Sequence, residues 1–260
     1  MQIPIYQVDA FTSRLFAGNP AAVCPLQEWL PDDQLQSIAL ENNLSETAYF
    51  TNEGDHYKLR WFTPSVEVDL CGHATLASAF VITTELAQGV REVRFQTRSG
   101  ELIVRSEGDR LSMDFPARPP AEVDAHPDLI AALGGNPQKV LAARDYLVVY
   151  GTEAEVRALK PNMDRLAQTD RFAVIATAPG TDVDFVSRFF APAKGVPEDP
   201  VTGSSHTTLI PYWSERLGKR NLHALQVSPR GGELWCENRD SRVVISGHAV
   251  MYLTGSIFTQ

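Results

Sequence analysis

Arg60-Trp-Phe-Thr-Pro64 returns as Arg188-Phe-Phe-Ala-Pro192, an offset of 128 between positions 60 and 188. Outward from this pair, Gly72 matches Gly203 at an offset of 131, Gly100-Glu-Leu102 matches Gly232-Glu-Leu234 at 132, and Arg110 matches Arg242 at 132. The blocks keep their order, and short insertions account for the drift. The offset is close to half of the 260-residue length, so the chain reads as a duplication of one unit. The competing account is chance matching in a strand-rich sequence.

The unit itself is of mixed type. Glu101-Leu-Ile-Val-Arg105 and Arg110-Leu-Ser-Met-Asp-Phe115 flank Glu107-Gly-Asp109. Their alternation turns Leu102, Val104, Leu111, Met113 and Phe115 to one face of an antiparallel hairpin. Helices are fewer: Pro31-Asp-Asp33 opens one ahead of Leu35, Ile38 and Ala39, and Thr152-Glu-Ala-Glu155 has the form of a capping box. Residues 73–86 and 204–217 each follow a glycine and read as two more. The expected fold is therefore α+β, two pseudo-symmetric domains, each a curled, mostly antiparallel sheet around a central helix. The first domain spans 1–117 and the second 118–248, with the Pro-rich stretch 116–120 as linker. A final strand within 249–260 returns to complete the first domain. Between two such domains a cleft is expected, with the equivalent glycine turns facing it.

Charge narrows the function. With 23 Lys+Arg against 32 Asp+Glu the formal charge is −9, which disfavours nucleic acid or an anionic membrane as partner. The three cysteines, Cys24, Cys71 and Cys236, form no C-x-x-C pair, so neither a disulfide framework nor a zinc knuckle is implied. The start, Met1-Gln-Ile-Pro-Ile-Tyr-Gln-Val-Asp9, has no secretory pattern, and no apolar run reaches the roughly 20 residues of a membrane span. A cytoplasmic protein is expected. Phosphate-loop, dinucleotide, nucleophile-elbow and H-E-x-x-H signatures are all missing, and the histidines show no ligand spacing, so no cofactor and no metal are expected.

Chemistry gathers at the two glycine turns, Asp69-Leu-Cys-Gly-His-Ala-Thr-Leu76 and Glu198-Asp-Pro-Val-Thr-Gly-Ser-Ser-His206. A helix starting after Gly72, and another after Gly203, presents unpaired N–H groups that attract an anion such as a substrate carboxylate. Paired turns of this kind would also stabilise enolate-like charge. His73, in the first helical turn, would be kept neutral by the helix field and suited to hydrogen bonding. Asp199, just before Pro200, can accept hydrogen bonds from substrate or from His73. Cys71 sits where a thiol pKa is depressed, yet its counterpart is Thr202, so a racemase with two opposed thiols is disfavoured. Glu46, in Leu44-Ser-Glu-Thr-Ala-Tyr-Phe50, becomes able to give and take a proton if it faces inward. By local pattern alone it reads as a solvent-facing residue of an edge strand. Asn19, in the loop Phe16-Ala-Gly-Asn-Pro20, is either turn chemistry or a substrate contact. Ser205 and His206 are neighbours on one helix, pointing about 100° apart, so no Ser–His hydrogen bond is expected.

These residues resemble a known family, the phenazine-biosynthesis PhzF-like proteins, which share the diaminopimelate-epimerase fold. The matching blocks are Asp9-Ala-Phe11, Phe16-Ala-Gly-Asn-Pro20, Asn43-Leu-Ser-Glu-Thr47, Arg60-Trp-Phe-Thr-Pro64, Cys71-Gly-His-Ala-Thr75 and Glu198-Asp-Pro-Val-Thr-Gly-Ser204. The resemblance implies a cofactor-independent homodimeric isomerase. In its characterised branch such an enzyme moves a hydrogen and a double bond of trans-2,3-dihydro-3-hydroxyanthranilate. It further implies that Glu46 is the general acid/base and that Gly72, His73, Asp199 and Ser204 hold and polarise a small carboxylate substrate. Cys71 and Ala74 stand where the phenazine enzyme would carry alanine and proline, so the mechanism carries over further than the substrate. A racemase using Cys71 with a non-thiol partner, and a binding protein that no longer catalyses, are the alternatives.

Overall fold

A computed structural model of the chain describes residues 1–259. Its elements fall into two compact units, Met1–Asp114 with Ser246–Gln260, and Phe115–Ile245. The first unit runs β1 (Gln2–Ala10), β2 (Asn19–Leu26), α1 (Asp32–Asn42), β3 (Glu46–Asn52), β4 (Tyr57–Phe62), β5 (Glu67–Val68), α2 (Gly72–Val81), β6 (Glu92–Thr97), β7 (Gly100–Glu107) and β8 (Arg110–Pro116). After the Pro-rich stretch come β9 (Ala121–Glu122), α3 (Leu129–Leu133), β10 (Lys139–Ala142), β11 (Tyr146–Val149), α4 (Glu153–Ala158), α5 (Met163–Leu166), β12 (Val174–Pro179) and β13 (Phe185–Ala191). The second unit continues with β14 (Val196–Asp199), α6 (Gly203–Leu217), β15 (Asn221–Gln226), β16 (Gly232–Arg239) and β17 (Arg242–Gly247). β18 (Ala249–Phe258) then lies antiparallel to β1 along its whole length, from Gln2 opposite Phe258 to Ala10 opposite Ala249.

One scheme of strand pairing occurs twice. In the first unit β1–β2 is antiparallel, β2–β3 parallel, β3–β4 and β4–β5 antiparallel, β4–β6 parallel and β6–β7 antiparallel. In the second, β10–β11 is antiparallel, β11–β12 parallel, β12–β13 and β13–β14 antiparallel, β13–β15 parallel and β15–β16 antiparallel. A parallel pair needs a crossover, and helices occupy each one: α1, α2, α4 with α5, and α6. The repeated arginines explain why their motif is legible in sequence. Arg60 on β4 grips Glu67 on β5 through Nε (2.7 Å) and Nη2 (2.8 Å), and Arg188 on β13 grips Glu198 on β14 at 2.7 and 2.9 Å. Each forked pair ties a long strand to the short one leading into the central helix.

The central helix of the first unit, α2, buries residues from His73 to Ala79 without interruption, as a helix must when sheet covers it on all sides. Its small side chains permit close approach, and its hydroxyls bond within the helix, Thr75 to Cys71 O and Ser78 to Ala74 O. The helix expected over 73–86 changes pitch at its end: α-helical geometry stops at Val81 and a π-turn follows over Ile82–Leu86. The Thr83 and Thr84 hydroxyls bond to the carbonyls of Ala79 and Phe80, competing with backbone N–H donors. The N-cap half of the expected capping box forms at α4, where Thr152 Oγ1 accepts from Glu155 N; Glu155 Oε2 accepts from the Thr152 hydroxyl. Among the described residues no helix is long and apolar enough to cross a membrane.

Candidate active site

Four of the residues singled out in the sequence meet in the first unit. The loop before β2 is shaped by Gly18, which has a φ of +66° and no room for a side chain: a Cβ there would lie 2.2 Å from Ala10 O. Asp9 secures the same loop by accepting from the Phe16 N–H at 3.0 Å. The next residue, Asn19, is fully buried at the start of β2 and places its Nδ2 3.1 Å from His73 Nδ1. Glu46 opens β3, which lies parallel to β2 with Glu46 beside Ala21. Its side chain is 16% exposed and its Oε2 lies 3.1 Å from His73 Nε2. That approach is of ion-pair length but off the axis of a ring N–H, so Oε2 remains a buried oxygen with no hydrogen bond. Cys71 is the extended N-cap residue of α2, and its Sγ stands 3.5 Å from His73 Nδ1 and 4.0 Å from Nε2.

The electrostatics differ from the sequence expectation at His73. Burial opposes a charged ring, but the Cys71 sulfur and the Glu46 carboxylate facing it outweigh that penalty and hold its pKa well above the ordinary value. The helix-start field that favours a neutral imidazole is thus overridden by a carboxylate at contact distance. Asn19 pulls the other way: with Nδ2 toward the ring it donates to Nδ1 and leaves the ring proton on Nε2. Turning the amide by 180° presents Oδ1 instead, so the same side chain can serve either protonation state of His73. Cys71 also departs from expectation. Burial, reinforced by Glu46, pushes its thiol up to about 11, although a helix start lowers a thiol pKa in an exposed setting.

The second unit carries the remaining predicted residues in a turn of its own. Asp199 ends β14 and accepts from Thr202 Oγ1 at 2.5 Å. Gln226 braces that turn, with Oε1 accepting from Thr202 N at 2.8 Å and Nε2 donating to Asp199 O at 2.7 Å. Gly203 is buried at the first position of α6, and Ser204 Oγ lies 3.4 Å from Nη2 of Arg144. Neither N-cap residue, Cys71 at α2 or Thr202 at α6, caps its helix with a side-chain hydrogen bond, the kind of helix start that can turn backbone N–H groups to an anion.

One sequence expectation fails. Ser205 Oγ does reach His206 Nδ1, at 3.3 Å. Both groups are nevertheless committed to Thr202 O, which Ser205 Oγ and His206 Nδ1 each approach at 2.8 Å. The ring therefore donates from Nδ1 to a carbonyl and cannot act as base toward Ser205.

The paired registers expose an asymmetry that motif matching missed. Thr47 on β3 stands opposite Phe62, and Val174 on β12 stands opposite Phe190. The residue equivalent to Glu46 is therefore Ala173. The duplication kept two helix starts but only one acid. Glu67 and Asp9 were also missed as supports of the site; an offset of 131 between Glu67 and Glu198 was the available signal for the first.

The family profile described as phenazine biosynthesis-like protein matches residues 8–255. The chain belongs to the PhzC-PhzF family. Among PhzC-PhzF relatives, an uncharacterized isomerase of Pseudomonas aeruginosa is 55% identical over 258 residues, covering 99% of each chain. A PhzF-family crystal structure from Enterococcus faecalis covers 100% of both chains at 45% identity with a TM-score of 0.97. A hydroxyproline epimerase of Agrobacterium vitis, at 10% identity and a TM-score of 0.61, covers 98% of this chain and 92% of its own. That last likeness concerns the fold alone.

Proposed function

We propose that this PhzC-PhzF protein is a cofactor-independent isomerase that moves a proton, and with it a double bond, on a small carboxylate-bearing substrate. The observation that carries the reading is the buried contact between the Glu46 carboxylate and His73, whose ring is held toward its protonated form. Glu46 removes a proton from a carbon next to the substrate's double bond. The C–H electrons form the new double bond, the electron pair of the old one moves to its far carbon, and Glu46 returns the proton there. His73 and the backbone N–H groups at the start of α2 stabilise the negative charge that develops on the substrate in between. Asn19 orients His73. Three relatives bear the name uncharacterized isomerase, which supports the reaction class.

A thiol-based racemase is less well supported, because the Cys71 thiol is raised to about 11 and its counterpart is Thr202. The test is hydrogen exchange between solvent and a panel of unsaturated cyclic acids and amino acids in deuterated water. Wild type should incorporate deuterium into its substrate, and Glu46→Gln should lose roughly 10²–10⁴-fold in rate while still binding the ligand. Full turnover in Glu46→Gln would remove Glu46 from the role.

A further inference from the structure

Glu46, Cys71 and His73 have a second chemical capacity that proton transfer does not use. Each offers one ligand atom, and the three atoms lie within 4.8 Å of one another; among the described residues no other group of three His, Cys, Asp or Glu side chains gathers in this way. Zinc held by thiolate, imidazole and carboxylate at about 2.0 to 2.3 Å in tetrahedral geometry sets its ligand atoms about 3.3 to 3.6 Å apart. The observed separations, 3.1 Å from Nε2 to Oε2 and 4.0 Å from Nε2 to Sγ, already approach those edges. His73 and Cys71 are almost fully buried, whereas Glu46 keeps 16% of its side chain exposed and leaves the cluster a path to solvent.

We propose that these three side chains form a binding site for a soft divalent cation, with zinc the fitting ion, and that its occupation reversibly blocks the enzyme. Zn²⁺ takes His73 through Nε2, Glu46 as carboxylate and Cys71 as thiolate; the proton on Nε2 and the thiol proton both leave to solvent, and a water fills the fourth position. Asn19, with Oδ1 turned toward the ring, accepts from Nδ1–H and holds the imidazole in the ligating tautomer, as a partner behind a metal-bound histidine commonly does. A carboxylate bound to zinc no longer exchanges protons with substrate, so metal and turnover exclude each other. The hard cation Mg²⁺ gains nothing from a thiolate and does not compete. The residue that sets this cluster apart within the chain is Cys71. Cys24 and Cys236 are free and buried, and neither has an imidazole and a carboxylate gathered about it.

The test is titration of reduced, chelator-treated protein with Co²⁺, followed by displacement with Zn²⁺. One equivalent should bring up an intense near-ultraviolet thiolate-to-cobalt band together with visible bands of four-coordinate cobalt, and zinc but not magnesium should erase them. Cys71→Ser should lose the near-ultraviolet band and bind zinc at least about 100-fold more weakly, beyond what loss of an outer-sphere partner costs. Glu46→Gln should keep the band with weakened affinity. Absence of the band at one equivalent, or zinc binding in Cys71→Ser as tight as in wild type, overturns the site. The isomerase reading fails separately: chelator-treated protein that binds cobalt as described yet exchanges no hydrogen refutes catalysis and leaves the metal site standing.

Discussion

His206 makes the second unit sensitive to acid by a calculable amount. The ring is fully buried in α6, its Nε2 has no hydrogen-bond partner, and burial, only partly offset by Thr202 O, holds its pKa down at about 4 against 6.5 when free. Between those values the unfolded chain binds a proton that the folded chain refuses, so this contribution is present above pH 6.5 and is lost as pH falls toward 4. A gap of about 2.5 pH units at about 1.36 kcal/mol per unit gives about 3 kcal/mol, of which about 2 kcal/mol disappears between pH 7 and pH 5. The loss strikes the helix start itself, since Nδ1 holds the carbonyl of the N-cap residue Thr202. Urea denaturation of wild type and His206→Asn at pH 7, 6, 5 and 4.5, followed by circular dichroism and tryptophan fluorescence, isolates the effect. The variant carries a constant penalty, while other titrating groups act alike in both proteins. Wild type should therefore lose about 2 kcal/mol more than the variant between pH 7 and pH 5. Parallel pH profiles for the two proteins would refute the reasoning.

The twin arginine pairs should differ in worth. Arg188 has Glu198 as its carboxylate and two backbone carbonyls, so Glu198→Gln strands a buried cation and should cost about 3 to 5 kcal/mol. Glu67→Gln leaves Arg60 with Asp32 at 2.9 Å and should cost about 1 to 3 kcal/mol; equal losses in urea titrations would contradict the burial argument. Gly18→Ala forces a Cβ against Ala10 O at positive φ, and thermal denaturation should show a loss of about 1 to 3 kcal/mol together with reduced turnover as Asn19 shifts. An unchanged melting temperature and rate would show that the loop relaxes freely. Cys71, with its thiol near 11, should react slowly with iodoacetamide at pH 7. Cys71→Ser, assayed with chelator present, should lose far less than the roughly 10²–10⁴-fold that an acid/base role carries; a loss of that size would revive the thiol mechanism.

The sequence by itself determined the repeated unit and its helix starts, because those features are local or recur at a fixed offset. Arg60 and Arg188 recur because each must fork onto a glutamate of the following short strand, and a glycine opens both α2 and α6. The alternation around Val104 and Met113 likewise gave the hairpin that pairs them. Glu46 was not legible in this way: one glutamate at the head of a strand has the same local pattern whether it faces solvent or a core. Only tertiary structure set it beside His73, by running β3 parallel to β2 and burying the start of α2 against both. The same packing reversed the expected charge preference of His73 and raised the thiol of Cys71. A pKa follows the field and solvation of groups brought from distant positions, here 19, 46, 71 and 73, and no spacing along the chain encodes those distances.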